Sequence, residues 1–323
     1  MTNSGTSVKA GLSRRLILGA PALLALTASR ATAQASTLRL VVPFSAGTNV
    51  DTMARRFAEA VAPLVGERPV IVNRDGGAGT VAFADLAQRE ADGTTFLFTP
   101  AGPLVVHPHL AREPRLDPTA FQPVCQVYEQ DLVLITSRKL AVESLEGLLA
   151  EAKRRPGDLK FGHYGPASAT HIELLAFSRA TGIRVIAVPY RAHGQLMADL
   201  ASGALDAALT TPGTFDPTVL RPVALVAEEP LALYPGLPTT VSLGHRPQAR
   251  VFGGLIARSG TPAPVIEQME TAFRNAFDDA TFQAMAARMG ARPRFVGAQA
   301  FAARINEERL QMQALLKSLG LIG

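Results

Sequence analysis

The 323-residue sequence contains one cysteine, no tryptophan and 6% aromatic residues. A single cysteine excludes an intramolecular disulfide. Cys125 lies in the strand-like run FQPVCQVYEQ, and we interpret it as a buried, inert thiol. The six histidines form no H-E-x-x-H or similar spacing, and the chain has no G-x-S-x-G motif. We therefore expect no metal, no cofactor and no hydrolase of the nucleophile-elbow type.

Acidic residues are missing from residues 1–35, which contain four basic residues: Lys9, Arg14, Arg15 and Arg30. The apolar run between Arg15 and Arg30 is too short to span a bilayer, and small residues follow it at 31–35. This pattern predicts an export signal and a soluble periplasmic product. The stretch SRRLIL favours the twin-arginine route, with an ordinary secretory signal as the alternative.

The formal charge of +5 comes largely from that first segment. Four of the 32 basic residues lie in it, so 28 basic residues face 27 acidic residues in the rest of the chain. A nearly neutral chain offers no basic footprint for a polyanion. We therefore expect no nucleic-acid partner.

Strand-like apolar runs alternate with polar or glycine-rich loops and helical periodicities along the rest of the chain. LRLVVPF precedes SAGTNVD, for example, and PVIVN precedes RDGGAGT. The alternation predicts α/β layers with largely parallel sheets. Proline-rich changes of character near 112–130 and 220–244 predict two lobes. The predicted boundaries give one lobe from 36–125 and 225–323, and a second from 126–224.

Residues 77–82 fit the dinucleotide-binding fingerprint G-x-G-x-x-A. In that motif the first glycine follows the strand closely, whereas here the four residues NRDG come between them. We therefore do not expect NAD. Two interpretations stay open for this loop: it caps a helix, or it brings bare backbone close to a ligand.

The loop PFSAGTNVD precedes another predicted helix. Gly47 permits close approach of the backbone, and Thr48 or Asn49 can cap the helix. Asp51 lies in the first turn, where a carboxylate complements the helix dipole. Capping alone explains this loop, so its residues do not by themselves require a ligand.

The stretch GHYGPASATHIELL has Ser168, Thr170 and His171 at a predicted helix start. Hydroxyl groups at such a position suit either an anion or a helix cap. A serine beside a histidine also raises the alternative of a hydrolase, although neither residue has an evident third partner.

Seven segments in this order resemble the Bug family, the periplasmic substrate-binding proteins of tripartite tricarboxylate transporters. They span about residues 38–270 and include the three loops above together with VPYRAHGQLMADLASGALDAAL, LRPVALVA, LPTTVSLG and GLIARSGTPAPVIEQM. The resemblance implies a two-lobed periplasmic binding protein fold, type II-like, with the ligand cleft between the lobes. It also implies a monomer that captures a small carboxylated or amidated compound and delivers it to membrane transporter subunits. A ligand sensor of the same fold and a hydrolase using Ser168 and His171 are the alternatives.

The resemblance carries ligand-binding positions onto this chain: Phe44, Gly47, Thr48, Asp51, Gly77, Gly79, Ser168, Thr170, His171 and Asp206. The chain also departs from the family pattern at four places: Ala46 before Gly47, Pro100 and Ala101 before Gly102, Thr210 and Thr211 after Asp206, and Arg191-Ala192-His193 after VPY. His193 is either a group that makes anion binding pH-dependent or a solvated loop histidine.

Overall fold

The computed structural model describes residues 37–110 and 116–323, and the predicted export signal at 1–35 lies outside them. Its strands are β1 (Arg39–Val42), β2 (Val70–Asn73), β3 (Thr95–Pro100), β4 (Phe121–Gln130), β5 (Leu132–Ser137), β6 (Lys160–His163), β7 (Ile186–Pro189), β8 (Ala207–Thr210), β9 (Leu220–Val226), β10 (Val251–Arg258) and β11 (Ala291–Gly297). Its α-helices are α1 (Asn49–Val65), α2 (Thr80–Ala87), α3 (Gly102–Val106), α4 (Leu145–Arg154), α5 (Ala169–Thr181), α6 (His193–Ser202), α7 (Ala263–Phe277), α8 (Ala280–Arg288) and α9 (Ala298–Ser318). In this described part of the chain, every helix is too short or too polar to cross a membrane.

The strands form two sheets, which gives the predicted two-lobed α/β fold. The first has the order β11-β4-β10-β3-β1-β2, and the second has the order β7-β6-β8-β5-β9. The prediction of largely parallel sheets is wrong. Strands β2, β1 and β3 are parallel, as are β7, β6 and β8, but β4, β5, β9, β10 and β11 pair antiparallel with their neighbours. A strand buried on both faces reads as one apolar run in either direction, so its orientation is not visible in the sequence.

The chain crosses between the sheets twice, and both crossings lie at the same place. Asp131 alone separates β4 from β5, and residues 227–250 lead from β9 back to β10. Arg292 ties the two crossings together, because its Nε donates to Asp131 Oδ2 at 2.6 Å and its NH2 group donates to the carbonyls of Glu229 and Pro230 at 2.8 and 3.1 Å. We propose that the lobe boundaries lie at these crossings, since the predicted ones fall inside β4 and β9.

The strand register shows which strand ends of each sheet lie near the crossings. Pro100, at the carboxyl end of β3, pairs with Gly253 near the start of β10. Thr210, at the carboxyl end of β8, pairs with Val133 near the start of β5. The two crossings join the end of β4 to the start of β5 and the end of β9 to the start of β10. The carboxyl ends of the parallel strands β3 and β8 therefore lie next to the junction between the lobes. Ligands of α/β sheets bind at such edges.

The first lobe is held by aromatic packing of α1 against α7 and α8. Phe57 of α1 stacks on Phe273 with 4.9 Å between ring centroids, and it lies 4.4 Å from the ring of Phe282. Cys125 is fully buried in the same cluster, as the sequence predicts, and burial raises the pKa of its thiol far above the usual value. The thiol therefore stays protonated and unreactive.

Candidate functional site

A buried carboxylate fixes the first loop, residues 43–48, to the start of α1. Asp51 is 2% exposed, and its oxygens accept hydrogen bonds from the Gly47 N–H and from Asn73 Nδ2, both at 2.9 Å. Arg55 donates to the same carboxylate at 2.9 and 3.0 Å. Burial acts to raise the pKa of Asp51, but the hydrogen bonds from these three donors outweigh it and lower the pKa. The protein itself therefore uses the acceptor positions of Asp51 and the N–H of Gly47.

Thr48 is the N-cap of α1, which confirms the predicted cap. Its Oγ1 accepts from the N–H of Asp51 at 3.4 Å and donates to the carbonyl of Ser45 at 3.0 Å. The carbonyl of Phe44 accepts from Asn73 Nδ2 at 2.8 Å, and the Phe44 ring packs against the core beneath α1. These contacts give the first loop one defined path over the end of β1.

The second loop brings the three loops of the first lobe together. Gly77–Gly79 forms a 3-10 turn before α2, and no side chain caps the start of that helix. Gly79 has a φ of 103°, and a Cβ there would lie 3.1 Å from Pro103 Cγ and 3.5 Å from Pro43 Cβ. Glycine is therefore required at the point where the loops that follow β1, β2 and β3 contact one another.

In the second lobe, three predicted residues form one hydrogen-bonded helix start. Ser168 caps α5, because its Oγ accepts from the N–H of His171 at 3.2 Å and donates to the carbonyl of Gly165 at 2.8 Å. Thr170 is buried, lies 3.0 Å from the Ser168 hydroxyl and accepts from the N–H of Tyr164 at 3.0 Å. The structure thus brings Ser168, Thr170 and His171 together at the carboxyl end of β6.

Two stacked histidines hold the loop that leads to this helix. The rings of His163 and His171 lie 4.4 Å apart, centroid to centroid. His163 Nδ1 donates to the carbonyl of Gly165 at 3.0 Å, and His171 Nδ1 accepts from the N–H of Ala167 at 3.2 Å. Burial, and then the neighbouring His171, lower the pKa of His163 to about 4, and burial also lowers the pKa of His171. Both rings are therefore neutral near pH 7 and fix the loop backbone.

This geometry differs from that of a serine hydrolase. In the described residues, the Ser168 hydroxyl bonds to backbone groups and to Thr170, and the bond from His171 comes from its backbone N–H rather than its ring. His171 Nδ1 already accepts a hydrogen bond from the N–H of Ala167. The ring also lines a cavity of about 790 Å³ whose other walls include residues 108–110 and the end of α9.

Asp206 lies at the amino-terminal ends of the parallel strands of the second sheet, away from the start of α5. It precedes β8, and its Oδ2 accepts from the N–H of Lys160 at the start of β6, at 2.8 Å. Strands β6 and β8 are parallel, so Asp206 is separated from His163 and Ser168 by the length of the strand. The structure does not bring Asp206 together with the other predicted residues.

A second polar network, which we call the Tyr164 network, lies at the carboxyl ends of β6 and β8. Tyr164 Oη lies 2.7 Å from His193 Nδ1 and 2.7 Å from Thr210 Oγ1. His193 Nε2 lies 2.8 Å from the carbonyl oxygen of Thr214, and the hydroxyls of Thr210 and Thr214 are 3.2 Å apart. His193 is therefore hydrogen-bonded through both ring nitrogens at the exposed start of α6.

The model of the tripartite tricarboxylate transporter family receptor, TctC, matches residues 53–321. The chain belongs to this family. It is 29% identical to the protein BugT of Bordetella pertussis over 284 residues, which cover 85% of this chain and 86% of BugT. It is also 26% identical to a Cupriavidus necator protein encoded in the gbd 5' region, with 96% and 97% of the two chains covered.

Solved structures place the fold in the same group. R. palustris Rpa4515, solved with adipate, superposes with a TM-score of 0.81 at 26% identity, over 88% of this chain and 97% of that chain. The periplasmic binding protein BugD superposes with a TM-score of 0.78 at 24% identity, over 88% and 97% of the two chains. The two-sheet architecture of this TctC family member is therefore that of the periplasmic binding proteins.

The sequence does not reveal a buried cluster that links α5 of this TctC family member to the second crossing. Glu173 is fully buried, and its Oε1 accepts from His245 Nε2 at 2.7 Å. Its Oε2 accepts from the N–H groups of Gln248 and Ala249 at 2.8 and 2.7 Å. The available signal was an acidic residue between apolar ones in HIELL, on the face of α5 that packs into the core.

Proposed function

We propose that the protein is a periplasmic solute-binding protein that captures a small carboxylate for a tripartite tricarboxylate-type transporter. The observation that carries the proposal is the position of its loops. Three loops of the first lobe contact one another at Gly79, near the carboxyl end of β3. On the second lobe, the start of α5 follows the carboxyl end of β6, which also lies near the junction between the lobes. Two sets of helix starts therefore face one cleft.

The chemistry of these helix starts suits an anion. Unpaired N–H groups and the helix dipole favour a carboxylate, and they need no long side chain to become ordered. We assign direct contact to the backbone of the second loop at Gly77 and Gly79 and to the start of α5, which Ser168 and Thr170 hold in place. The hydroxyls of Thr48 and Ser168 already donate to the carbonyls of Ser45 and Gly165, so these residues position the backbone around the ligand. The ring of Phe44 supplies an apolar wall.

The remaining predicted residues support the cleft rather than contact the ligand. Gly47 and Asp51 bond to each other, and His171 fixes the loop before α5. Asp206 joins β6 to β8 at the other edge of the sheet and is left out of the proposed site. Two structural relatives point to dicarboxylates as probes, because R. palustris Rpa4515 was solved with adipate and MatC of the same species with bound malate.

Ligand capture is proposed to close the two lobes about their double crossing. A ligand held by both lobes stabilises the closed form by its differential affinity for the two forms. The closed lobes then present one composite surface to the membrane subunits of the transporter.

A thermal-shift screen tests the ligand class. Adipate, malate, monocarboxylates and tricarboxylates are compared with uncharged analogues such as adipamide. A ligand at a hundred times its dissociation constant adds about 2.7 kcal/mol to the free energy of unfolding. If uncharged analogues stabilise the protein as well as carboxylates do, or if no carboxylate stabilises it, the proposal is wrong.

A pair of cap variants tests the site. Ser168→Ala removes the cap of α5, and Ser144→Ala removes the equivalent cap of α4, whose Oγ accepts from the N–H of Gly147 at 3.1 Å. Both variants should lose about 1 kcal/mol of stability. Ser168→Ala alone should weaken binding of the carboxylate found by the screen, measured by calorimetry. Equal affinities in the two variants would exclude Ser168 from the cleft, and turnover abolished by Ser168→Ala would favour the hydrolase.

A further inference from the structure

One tyrosine of the first lobe has a hydroxyl group that the protein leaves unpaired. Tyr128 of β4 is fully buried, and its Oη has no hydrogen-bond partner among the described residues. The hydroxyls of the other tyrosines are all bonded within the protein: Tyr164, Tyr190 and Tyr234. A buried polar group without a partner costs stability, so this hydroxyl needs an explanation.

The phenol of Tyr128 lies across β10 at the carboxyl end of β3. Tyr128 pairs with Gly253, which in turn pairs with Pro100, the last residue of β3. A Cβ at Gly253 would lie 2.5 Å from Tyr128 Oη and 2.8 Å from Pro100 Cα, so a side chain there would collide with the phenol. The hydroxyl therefore lies at the strand end where ligands of α/β sheets bind.

The start of α1 covers the same end of the first sheet. Val50 belongs to the same buried cluster as the Tyr128 ring, and Phe44 packs against that cluster. Asn49, the first residue of α1, holds a second unpaired donor, because its Nδ2 is buried and has no partner within the described part of the chain. Two unpaired donors therefore lie at the end of the sheet that the first loop covers.

The Tyr128 phenol is able to donate a hydrogen bond. Burial raises the pKa of this group far above its usual value, so the phenol keeps its hydrogen near pH 7. A hydrogen bond is stronger in such an apolar environment than in water. A carboxylate oxygen is the acceptor that gives the shortest and strongest bond to a hydroxyl group.

We propose that the Tyr128 hydroxyl donates a hydrogen bond to a carboxylate oxygen of the bound solute. The acceptor is the carboxylate of the proposed function, on which this proposal rests, and the bond adds a contact at the floor of the cleft to those from the helix starts. The contact also makes the site specific, because a solute without an acceptor at this point leaves the buried hydroxyl unpaired.

The two lobes meet beside this position. Gln130, at the end of β4, donates from Nε2 to the carbonyl of Met289 at 3.4 Å. On the second lobe, a Cβ at Gly213 would lie 3.0 Å from the carbonyl oxygen of Arg288. In this proposal, opening of the lobes at the junction gives the solute access to Tyr128, and closure buries the new bond.

Tyr128→Phe tests the proposal, because it removes the hydroxyl and keeps the ring. Without ligand, the variant should melt at the same temperature as the wild type or about 2 °C higher, since an unpaired polar group is lost. The probes are the carboxylates of the thermal-shift screen, with adipate first. Affinity measured by calorimetry should fall about ten- to a hundredfold, the size of one hydrogen bond to a charged group.

Thr136→Val is the matched control. Thr136 is also fully buried, and its Oγ1 likewise has no partner among the residues that the structure describes. It pairs with Ala207 at the start of β8, the end of that strand away from the cleft. This variant should also melt no lower than the wild type, but its affinity for adipate should be unchanged.

Three results would overturn the inference and leave the proposed function intact. The first is an equal affinity of Tyr128→Phe and the wild type. The second is an equal loss of affinity in Tyr128→Phe and Thr136→Val, since removal of any buried hydroxyl would then be enough. The third is a clear fall in the melting temperature of ligand-free Tyr128→Phe, because the hydroxyl would then have a partner without ligand. If none of the carboxylates binds the wild-type protein, the proposed function is wrong and the inference falls with it.

Discussion

Replacement of Glu173 should reveal how much the second crossing contributes to stability. This carboxylate accepts three hydrogen bonds in the core, from His245 Nε2 and from the N–H groups of Gln248 and Ala249. Glu173→Ala leaves the two backbone donors without a partner. A buried donor left unpaired costs about 1–3 kcal/mol, so the two donors together should cost about 2–6 kcal/mol in the free energy of unfolding.

Glu173→Gln is the matched variant. Its amide oxygen can still accept from both backbone N–H groups, and its NH2 group can donate to His245 once that ring carries its hydrogen on Nδ1. We expect a loss of about 1 kcal/mol, the size of one ordinary hydrogen bond.

Urea denaturation followed by far-UV circular dichroism measures both values, because the chain has no tryptophan for fluorescence. The reasoning fails if Glu173→Ala loses less than about 1 kcal/mol, since unpaired buried donors would then be tolerated. It also fails if Glu173→Gln is as destabilised as Glu173→Ala. In that case the charge, and not the acceptor geometry, would hold the crossing.

Four further variants test the loops by urea denaturation. Gly79→Ala and Gly47→Ala both strain a positive φ, of 103° and 86°, but only the first also meets Pro103, so it should cost about 1–3 kcal/mol more. His163 has a pKa of about 4, so the unfolded chain binds its proton first as the pH falls below about 6.5. Stability should therefore fall by up to about 3 kcal/mol towards pH 4, and His163→Gln should flatten that slope. Asp51 has a lowered pKa, so its ionised form stabilises the fold near pH 7 and this is lost in acid. Asp51→Asn should cost about 1–3 kcal/mol near pH 7 and less in acid, and an equal cost at both would contradict this account.

The helix starts of the site could be predicted because their signals are local. Thr48 and Ser168 each cap a helix whose N–H donor lies three residues further on. The glycines of the second loop are visible in the same way, since a positive φ selects glycine in the sequence itself. Local rules of this kind require no knowledge of the rest of the fold.

The orientation of the sheets and the side-chain networks depends on pairings that the sequence does not show. Glu173 meets His245 across 72 positions, and Tyr164 meets Thr210 across 46. Asp206 precedes the parallel strand β8, at the opposite end of the strand from the one where ligands of α/β sheets bind.

The single guanidinium of Arg292 bonds to both crossings, so in the proposed closure it lies close to the axis of rotation. In a rigid-body rotation, each atom moves in proportion to its distance from the axis. The loops after β2 and β7, at the ends of their sheets farthest from the crossing strands, therefore have the longest lever arms. In the lobe closure proposed above, these two loops therefore move much farther than Asp131 does.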